Sequence, residues 1–154
     1  MVTPYTTGGQ SLSYLNGMEK VGDSLFALYS NKIYEIGLTD NTTSPDNWTS
    51  STSGTTKDLY GVSYGNNTFV TVGKDGKIFT SPDGTTWTAQ TSGTTKDFQG
   101  VAYGNNTFVA VGNDGKIFTS DNGTTWTAQT SGVQIRLVKV TFSTDKFVAV
   151  GYSG

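Results

Sequence analysis

Gly100-Val101-Ala102-Tyr103-Gly104-Asn105-Asn106-Thr107-Phe108-Val109-Ala110-Val111-Gly112 reads as two strands joined by a turn, and the chain contains this stretch more than once. The same pattern stands at residues 61–73 and, in altered form, at 139–151, with the same interval each time. Trp48, Trp87 and Trp126 keep that spacing. Residues 48–86 and 87–125 are identical at 30 of 39 positions, and residues 126–154 keep 14 of the 29 positions they share with the copy before them. A more divergent copy comes first, with Leu25-Phe26-Ala27-Leu28-Tyr29 standing for Phe108-Val109-Ala110-Val111-Gly112 and Lys32-Ile33-Tyr34 for Lys116-Ile117-Phe118. Repetition at a period of about 40 residues marks a supersecondary unit that buries its apolar faces against its neighbours rather than within itself.

Inside one copy the period is that of strands, broken by turn signals every eight to twelve residues. In the third copy, strands are expected over Phe98–Tyr103, Asn106–Val111, Lys116–Ser120 and Thr125–Thr130. The turns between them are Gly104-Asn105, Asn113-Asp114-Gly115 and Asp121-Asn122-Gly123, residues that tolerate positive φ. Four antiparallel strands in about 40 residues is the size of a β-propeller blade. The dense run Phe108–Gly112 suits a sheet covered on both faces. A helical solenoid is disfavoured, because no segment shows 3.6-residue periodicity and Gly and β-branched residues interrupt every stretch.

The expected fold is therefore an all-β propeller of about four blades in a single domain, 1–154. The blades fall at roughly 17–54, 55–93, 94–132, and 133–154 together with 1–16. The last blade is expected to be shared by the two termini. Gly154-Met1-Val2-Thr3-Pro4 lines up with Gly115-Lys116-Ile117-Phe118-Thr119, so the N-terminus would supply strands three and four to a blade begun by residues 135–151. That closure removes open sheet edges, and it can run within one chain or between chains, the latter giving a larger ring such as an eight-bladed dimer. A second register matches Tyr5 to the Trp position and leaves the chain an excised or designed fragment of a propeller.

Composition narrows the chemistry. Ten Lys and Arg against twelve Asp and Glu give a net charge of −2, a poor match to nucleic acid or an anionic membrane. The chain has no Cys and no His, which removes disulfides, thiol nucleophiles, imidazole acid–base catalysis and the usual zinc sites. No Asp-x-Asp cluster has calcium-loop spacing, and the Gly-rich turns precede no helix, so neither a metal nor a phosphate-bearing cofactor is expected. No run approaches the roughly 18 apolar residues of a spanning helix, and the first residues carry no signal-peptide pattern, so membrane insertion is not expected.

Thr119-Ser120-Asp121-Asn122-Gly123-Thr124-Thr125-Trp126 resembles the Asp-box, the bacterial neuraminidase repeat, whose pattern is Ser/Thr-x-Asp-x-Gly-x-Thr-Trp. Ser81-Pro82-Asp83-Gly84-Thr85-Thr86-Trp87 is similar with its Asp one place later, and Ser44-Pro45-Asp46-Asn47-Trp48 lacks the Gly-Thr-Thr portion. The resemblance implies structural roles for Asp46, Trp48, Asp83, Gly84, Trp87, Asp121, Gly123 and Trp126. In such a turn the Asp accepts backbone N–H groups, the Gly takes an unusual φ and the Trp packs between sheets. The wider unit, Gly-Val-x-Tyr-Gly-Asn-Asn-Thr-Phe-Val-x-Val-Gly followed by Gly-Lys-Ile-Phe-Thr-Ser, resembles propeller repeats of bacterial surface proteins and of phage tail or virion proteins. Propellers with this turn include sialidases, other glycosidases, sorting receptors, assembly factors and lectins, so the resemblance speaks for fold more than for activity.

Against a sialidase stands the single arginine, Arg136, where that family holds its substrate carboxylate with three. Another glycosidase would need two positioned carboxylates. Most acids here sit instead in repeated turns (Asp75, Asp83, Asp114, Asp121) or repeated loops (Asp58, Asp97), and repetition does not make the unlike pair that acid–base chemistry uses. No catalytic residue is assigned. The expected role is a non-catalytic recognition or structural module at a cell surface or on a virion, meeting a glycan or protein partner and forming a homo-oligomer or larger assembly. The alternatives are a glycoside hydrolase of the Asp-box propeller type, or a designed or excised propeller fragment with no function of its own. The binding residues expected are the repeated Lys57, Asp58 and Tyr60, with Lys96, Asp97 and Gln99 one copy on, where near-identical blades would gain avidity from weak sites. Arg136, Lys139 and Lys146 read as a solvated strand face.

Overall fold

A computed structural model describes residues 15–37 and 48–152, together with the strand backbone at Thr6–Thr7 and Gln10–Ser11. Among these residues the chain forms sixteen strands and two single 3-10 turns. Three sheets have four strands each: β3 (Gly17–Val21) to β6 (Thr49–Thr52) through β4 (Ser24–Tyr29) and β5 (Lys32–Gly37), β7 (Leu59–Gly65) to β10 (Thr88–Gln90) through β8 (Thr68–Gly73) and β9 (Ile78–Ser81), and β11 (Phe98–Gly104) to β14 (Thr127–Gln129) through β12 (Thr107–Gly112) and β13 (Ile117–Ser120). In each, neighbours in sequence are neighbours in the sheet and run antiparallel. β15 (Arg136–Ser143) and β16 (Lys146–Tyr152) form a two-stranded sheet, and so do β1 (Thr6–Thr7) and β2 (Gln10–Ser11).

The sequence of β8 shows why the sheets stack. Phe69 points one way, into a cluster with Phe26, Leu28 and Ile33 of the preceding sheet. Val70 and Val72 point the other way and pack with Phe98, Val101 and Phe108 of the following sheet. All of Phe69, Val70, Thr71 and Val72 are buried, as the apolar run requires of a strand covered on both faces. A third cluster repeats the pattern one sheet on, joining Val109 and Val111 to Leu137 and Val140. Each apolar core thus lies between sheets.

The first strands β3, β7, β11 and β15 lie side by side on the inner side of the stack. A Cβ on Gly61 would stand 3.0 Å from the Gly100 Cα, and one on Gly100 would stand 3.3 Å from the Lys139 Cα. Glycine at both positions lets neighbouring backbones approach this closely. Across each first hairpin an aromatic pair recurs, Tyr64 on Phe69, Tyr103 on Phe108 and Phe142 on Phe147, with ring centroids 4.6, 4.6 and 4.8 Å apart.

Two expectations need correction. The first hairpin of each repeat turns at Asn66-Asn67 and Asn105-Asn106, all at positive φ, and not at Gly104-Asn105. Paired asparagines carry the left-handed conformation that such a tight turn needs, so the second strand begins at Thr107. Among the described residues the closing blade is not formed within the chain: β1–β2 and β15–β16 are separate sheets, and the other expected route, closure between chains, is left. The cores join the sheets in the order of the sequence, so the first and fourth stand at opposite ends of a partial propeller. The residues Met1–Pro4, expected as a third strand, lie outside the described residues.

Gly84 tests the packing between sheets. It has φ +78°, and a Cβ there would stand 2.4 Å from Phe26 Cε1 of the preceding sheet, whereas Gly93 at φ +80° has open space around it. Gly93→Ala is expected to cost only the left-handed strain, about 1–2 kcal/mol. Gly84→Ala adds overpacking of a further ~1–3 kcal/mol, so thermal denaturation should show it clearly the less stable of the two.

Candidate functional site

Each of β7, β11 and β15 opens with the same irregularity. Leu59 pairs with Gly73 and Gly61 with Val72, which leaves Tyr60 as a bulge. Gln99 and Val138 are bulged in the same way, one and two repeats later. A bulge takes a side chain out of the strand's alternation and re-aims it. Here it brings Tyr60 and Gln99 to a cavity of about 410 Å³ lined by the first strands of all four large and partial sheets, with Glu19, Tyr103 and Lys139 also on its wall. Tyr60 is half-buried, and its phenol is held above the usual range by burial first and then by the negative charges of Asp58 and Asp97. Burial likewise raises the Glu19 carboxyl, partly offset by the Tyr64 N–H that donates to it at 3.3 Å.

Gln99 is held from two sides. Its Oε1 accepts from Arg136 Nη2 at 2.6 Å, and its Nε2 donates to Asn113 Oδ1 at 3.4 Å. Arg136 donates on to the Tyr152 hydroxyl at 3.1 Å, with its guanidinium carbon 5.8 Å from that ring's centroid. The sequence alone reads Arg136 as part of a solvated face. The signal that could have found it is positional: one repeat after Asp97 the acid has become an arginine.

Of the remaining expected binding residues, the two aspartates tie sheets together. Asp97 Oδ1 accepts the Asp75 N–H at 2.8 Å, which links the second sheet to the third, and Asp58 Oδ1 accepts from Ser30 Oγ at 2.8 Å, which links the first to the second. Lys57 pairs with Asp75 at 2.7 Å and Lys96 with Asp114 at 2.6 Å, both at the solvated surface. Each lysine is raised, and each aspartate lowered, chiefly by the hydrogen bond between them. Exposed pairs of this kind add little to stability. Among the described residues there is no group of three or more acids placed to hold a metal ion.

In the third turn of the second sheet, Asp83 Oδ1 accepts the N–H groups of Thr85 and Thr86, each at 2.8 Å, and the Ser81 hydroxyl at 2.9 Å. Gly84 donates its N–H to Ser81 Oγ, and Trp87 Nε1 donates back to the Gly84 carbonyl at 3.0 Å. In the third sheet the same bonds run through Asn122, whose Oδ1 accepts from the Thr124 and Thr125 N–H groups at 2.9 and 3.0 Å, while Trp126 donates to Gly123. The role expected of Asp121 therefore belongs to Asn122, because the acceptor must lie two places, not one, beyond the serine to reach those N–H groups. The copy that fits the Asp-box pattern in full is thus the one whose Asp does not organise the turn. Gly84 and Gly123 have φ of 78° and 77°, and Trp87 and Trp126 pack against the clusters between sheets. Asp46 lies outside the described residues, and Trp48 Nε1 is buried with no partner among them.

Residues 7–134 match the family described as the DUF6242 beta propeller domain. No curated protein matches the sequence. Among solved structures, YCF48 from Cyanidioschyzon merolae superposes on all of this chain and 53% of its own, at 15% identity and a TM-score of 0.73. The computationally designed Ika8 protein matches 92% of this chain and 43% of its own, at 16% identity and a TM-score of 0.69. YCF48 bound to D1 peptide matches 86% and 46%, at 17% identity and a TM-score of 0.64. These likenesses concern the fold, and the chain spans about half the length of the propellers it matches.

The Asp83 hydrogen bonds hold its carboxyl far below the usual carboxylate range, with the Thr86 and Thr85 N–H groups the main causes. Its contribution to stability is complete above the unfolded value of about pH 4 and is lost as the pH falls through the lower folded value. Asp83→Asn is expected to keep the turn, as Asn122 does, and to flatten that acid dependence. Asp83→Ala should lower the melting temperature by a few degrees at pH 7. Melting curves from pH 7 down to pH 2 check both.

Proposed function

This chain belongs to the DUF6242 beta propeller domain family, and from that premise we propose that it is a non-catalytic recognition module whose concave side holds a glycan or polypeptide partner. The observation that supports this most is the pair of bulges that send Tyr60 and Gln99 to the cavity along the first strands. An aromatic ring with an amide one blade on offers a stacking surface and a two-way hydrogen-bonding group, the chemistry that sugar hydroxyls and peptide amides both use. Arg136 orients that amide by holding its oxygen.

The acids favour binding over hydrolysis in this reading. Asp58, Asp75, Asp83, Asp97 and Asp114 each spend a carboxylate oxygen on a structural partner. Glu19 alone among the cavity residues is a carboxyl with a raised pKa, and a glycosidase needs a second acid facing it across the scissile bond. A polypeptide is the first ligand class to try, because the similar YCF48 propeller is solved with a D1 peptide. A bacterial surface or a virion is the setting we infer, on the resemblance of the repeats. The half-built blade at β15–β16 is completed, in this reading, by strands from residues 1–16 of a neighbouring copy.

Binding to glycan and peptide arrays should identify the ligand class. Tyr60→Ala and Gln99→Ala are each expected to weaken that binding about tenfold or more with the melting curve preserved. Aryl glycosides should release no detectable phenol. Binding that survives both substitutions, or steady turnover of a glycoside, would overturn the proposal.

A further inference from the structure

We propose that the exposed faces at the two ends of the arc are the two halves of one missing junction, and that a second copy of this chain supplies it, head to tail, to close a two-chain ring. The argument is positional. Val70 and Val72 of β8 and Val109 and Val111 of β12 are buried against the sheet that follows, at 0, 0, 7 and 0% exposure. One repeat later the same positions are Val148 and Val150 of β16, and these are 47 and 53% exposed. β16 thus carries the apolar face that elsewhere receives the next sheet, and it pairs only with β15 among the described residues, so its outer edge is open as well.

The other end carries the complement. The ladder pairs Gly17 with Leu28 as it pairs Gly100 with Val111, so the first sheet can be laid on the third residue by residue. Leu15, Met18, Leu25 and Tyr34 then stand where Phe98, Val101, Phe108 and Phe118 pack against Val70, Val72 and Ile78. Leu15 and Met18 are 36 and 58% exposed, against 0 and 7% for Phe98 and Val101. Of the large apolar side chains exposed in the described chain, four lie on these two faces, and together they reproduce both sides of a junction the chain already builds three times.

The occupant follows from that match. A surface whose partner positions are found on the same molecule, but at its other end, makes a heterologous contact that closes only if the rotation fits. This chain spans 43 to 53% of the solved propellers it resembles, so two copies make up the length of one ring. Lys139 sets the one departure from the internal junctions. It replaces the glycine found at 61 and 100, so the first strands of the two copies stand farther apart there, and an ammonium group from each chain faces the axis. The inference shares with the proposed function the half-built blade but is independent of any ligand.

Light scattering after size exclusion, at micromolar chain, is expected to give twice the 16.4 kDa chain mass. Val148→Asp with Val150→Asp should give a monomer, and so should Met18→Asp, each with unchanged far-ultraviolet circular dichroism and a cooperative melt. Mixing the two monomeric variants should restore a two-chain species, because one junction of the pair is then intact. A wild-type monomer, an open series of larger species, or a dimer that survives the β16 substitutions overturns the proposal. A dimer broken by the β16 substitutions but not by Met18→Asp also does, since the contact would then be tail to tail. The Val148→Asp, Val150→Asp variant, whose changes lie off the cavity, is also run on the same glycan and peptide arrays: binding kept there leaves the recognition reading standing whatever becomes of the ring.

Discussion

The structure depends on a division of labour within one short strand. In Phe69-Val70-Thr71-Val72 and its repeat Phe108-Val109-Ala110-Val111, alternate side chains face the sheet before and the sheet after, so no single sheet owns a core. A lone four-stranded sheet with both faces apolar, far below the size at which a single core sustains itself, has no stable existence in water. Stacking is therefore what makes each sheet stable, and the clusters follow one another through the stack in the order of the chain. Nearest-neighbour stabilisation of this sort places the least stable sheets at the ends, where one face lacks its cover.

Polar groups then fix how the sheets are set against one another. The apolar contacts are non-directional and would tolerate a slide or a tilt. Hydrogen bonds such as Asp97 to the Asp75 N–H, Asp58 to Ser30, and Asn66 Nδ2 to the Asp121 carbonyl each cross from one sheet to the next and have a single good geometry. The serine-centred turn does the same from another side: with no Cβ, Gly84 can sit against Phe26, and its carbonyl accepts from Ser51 of the preceding sheet as well as from Trp87. The acidic loops that look like repeated binding groups are repeated because the junction is repeated.

Much of this is legible in the residues. The regular interval from Trp48 to Trp87 to Trp126, the four strands per copy and the strand buried on both faces follow from spacing and side-chain type alone, and even the divergent copy at Leu25–Tyr29 takes the place expected of it, since Leu25 stands at the Phe108 position of the ladder. The positions of Tyr60 and Gln99 are legible too, but not the bulge that aims them, because a slip of one place in the pairing leaves no mark in composition. The acceptor in the third turn escapes the sequence for a related reason. Asp121 and Asn122 are adjacent and both polar, and only the distance to two N–H groups distinguishes them. Closure between the termini lies beyond the sequence altogether, since a repeat count gives the number of units and says nothing of the angle between them.

Where the copies differ is more telling than where they agree. Inside the junctions Val72 and Val111, and Phe69 and Phe108, are the same residue in both copies, and the exchanges there, Leu59 for Phe98 and Thr71 for Ala110, keep the side chains buried. Some of the changes fall on the concave side and at the two ends: Tyr60 becomes Gln99 and then Val138, Asp97 becomes Arg136, Gly100 becomes Lys139, and Val101 has Met18 as its counterpart in the first sheet. Exchange of an acid for an arginine replaces the tie from Asp97 to the Asp75 N–H by a clamp on Gln99, so the cavity wall gains a polar contact at a place where the repeat breaks its own rule. A symmetric scaffold makes equal sites, and these exchanges make them unequal. The departures at Arg136, Lys139 and Met18 are therefore the places where the proposed recognition would have its physical basis, and the repeated interior is what holds them in place.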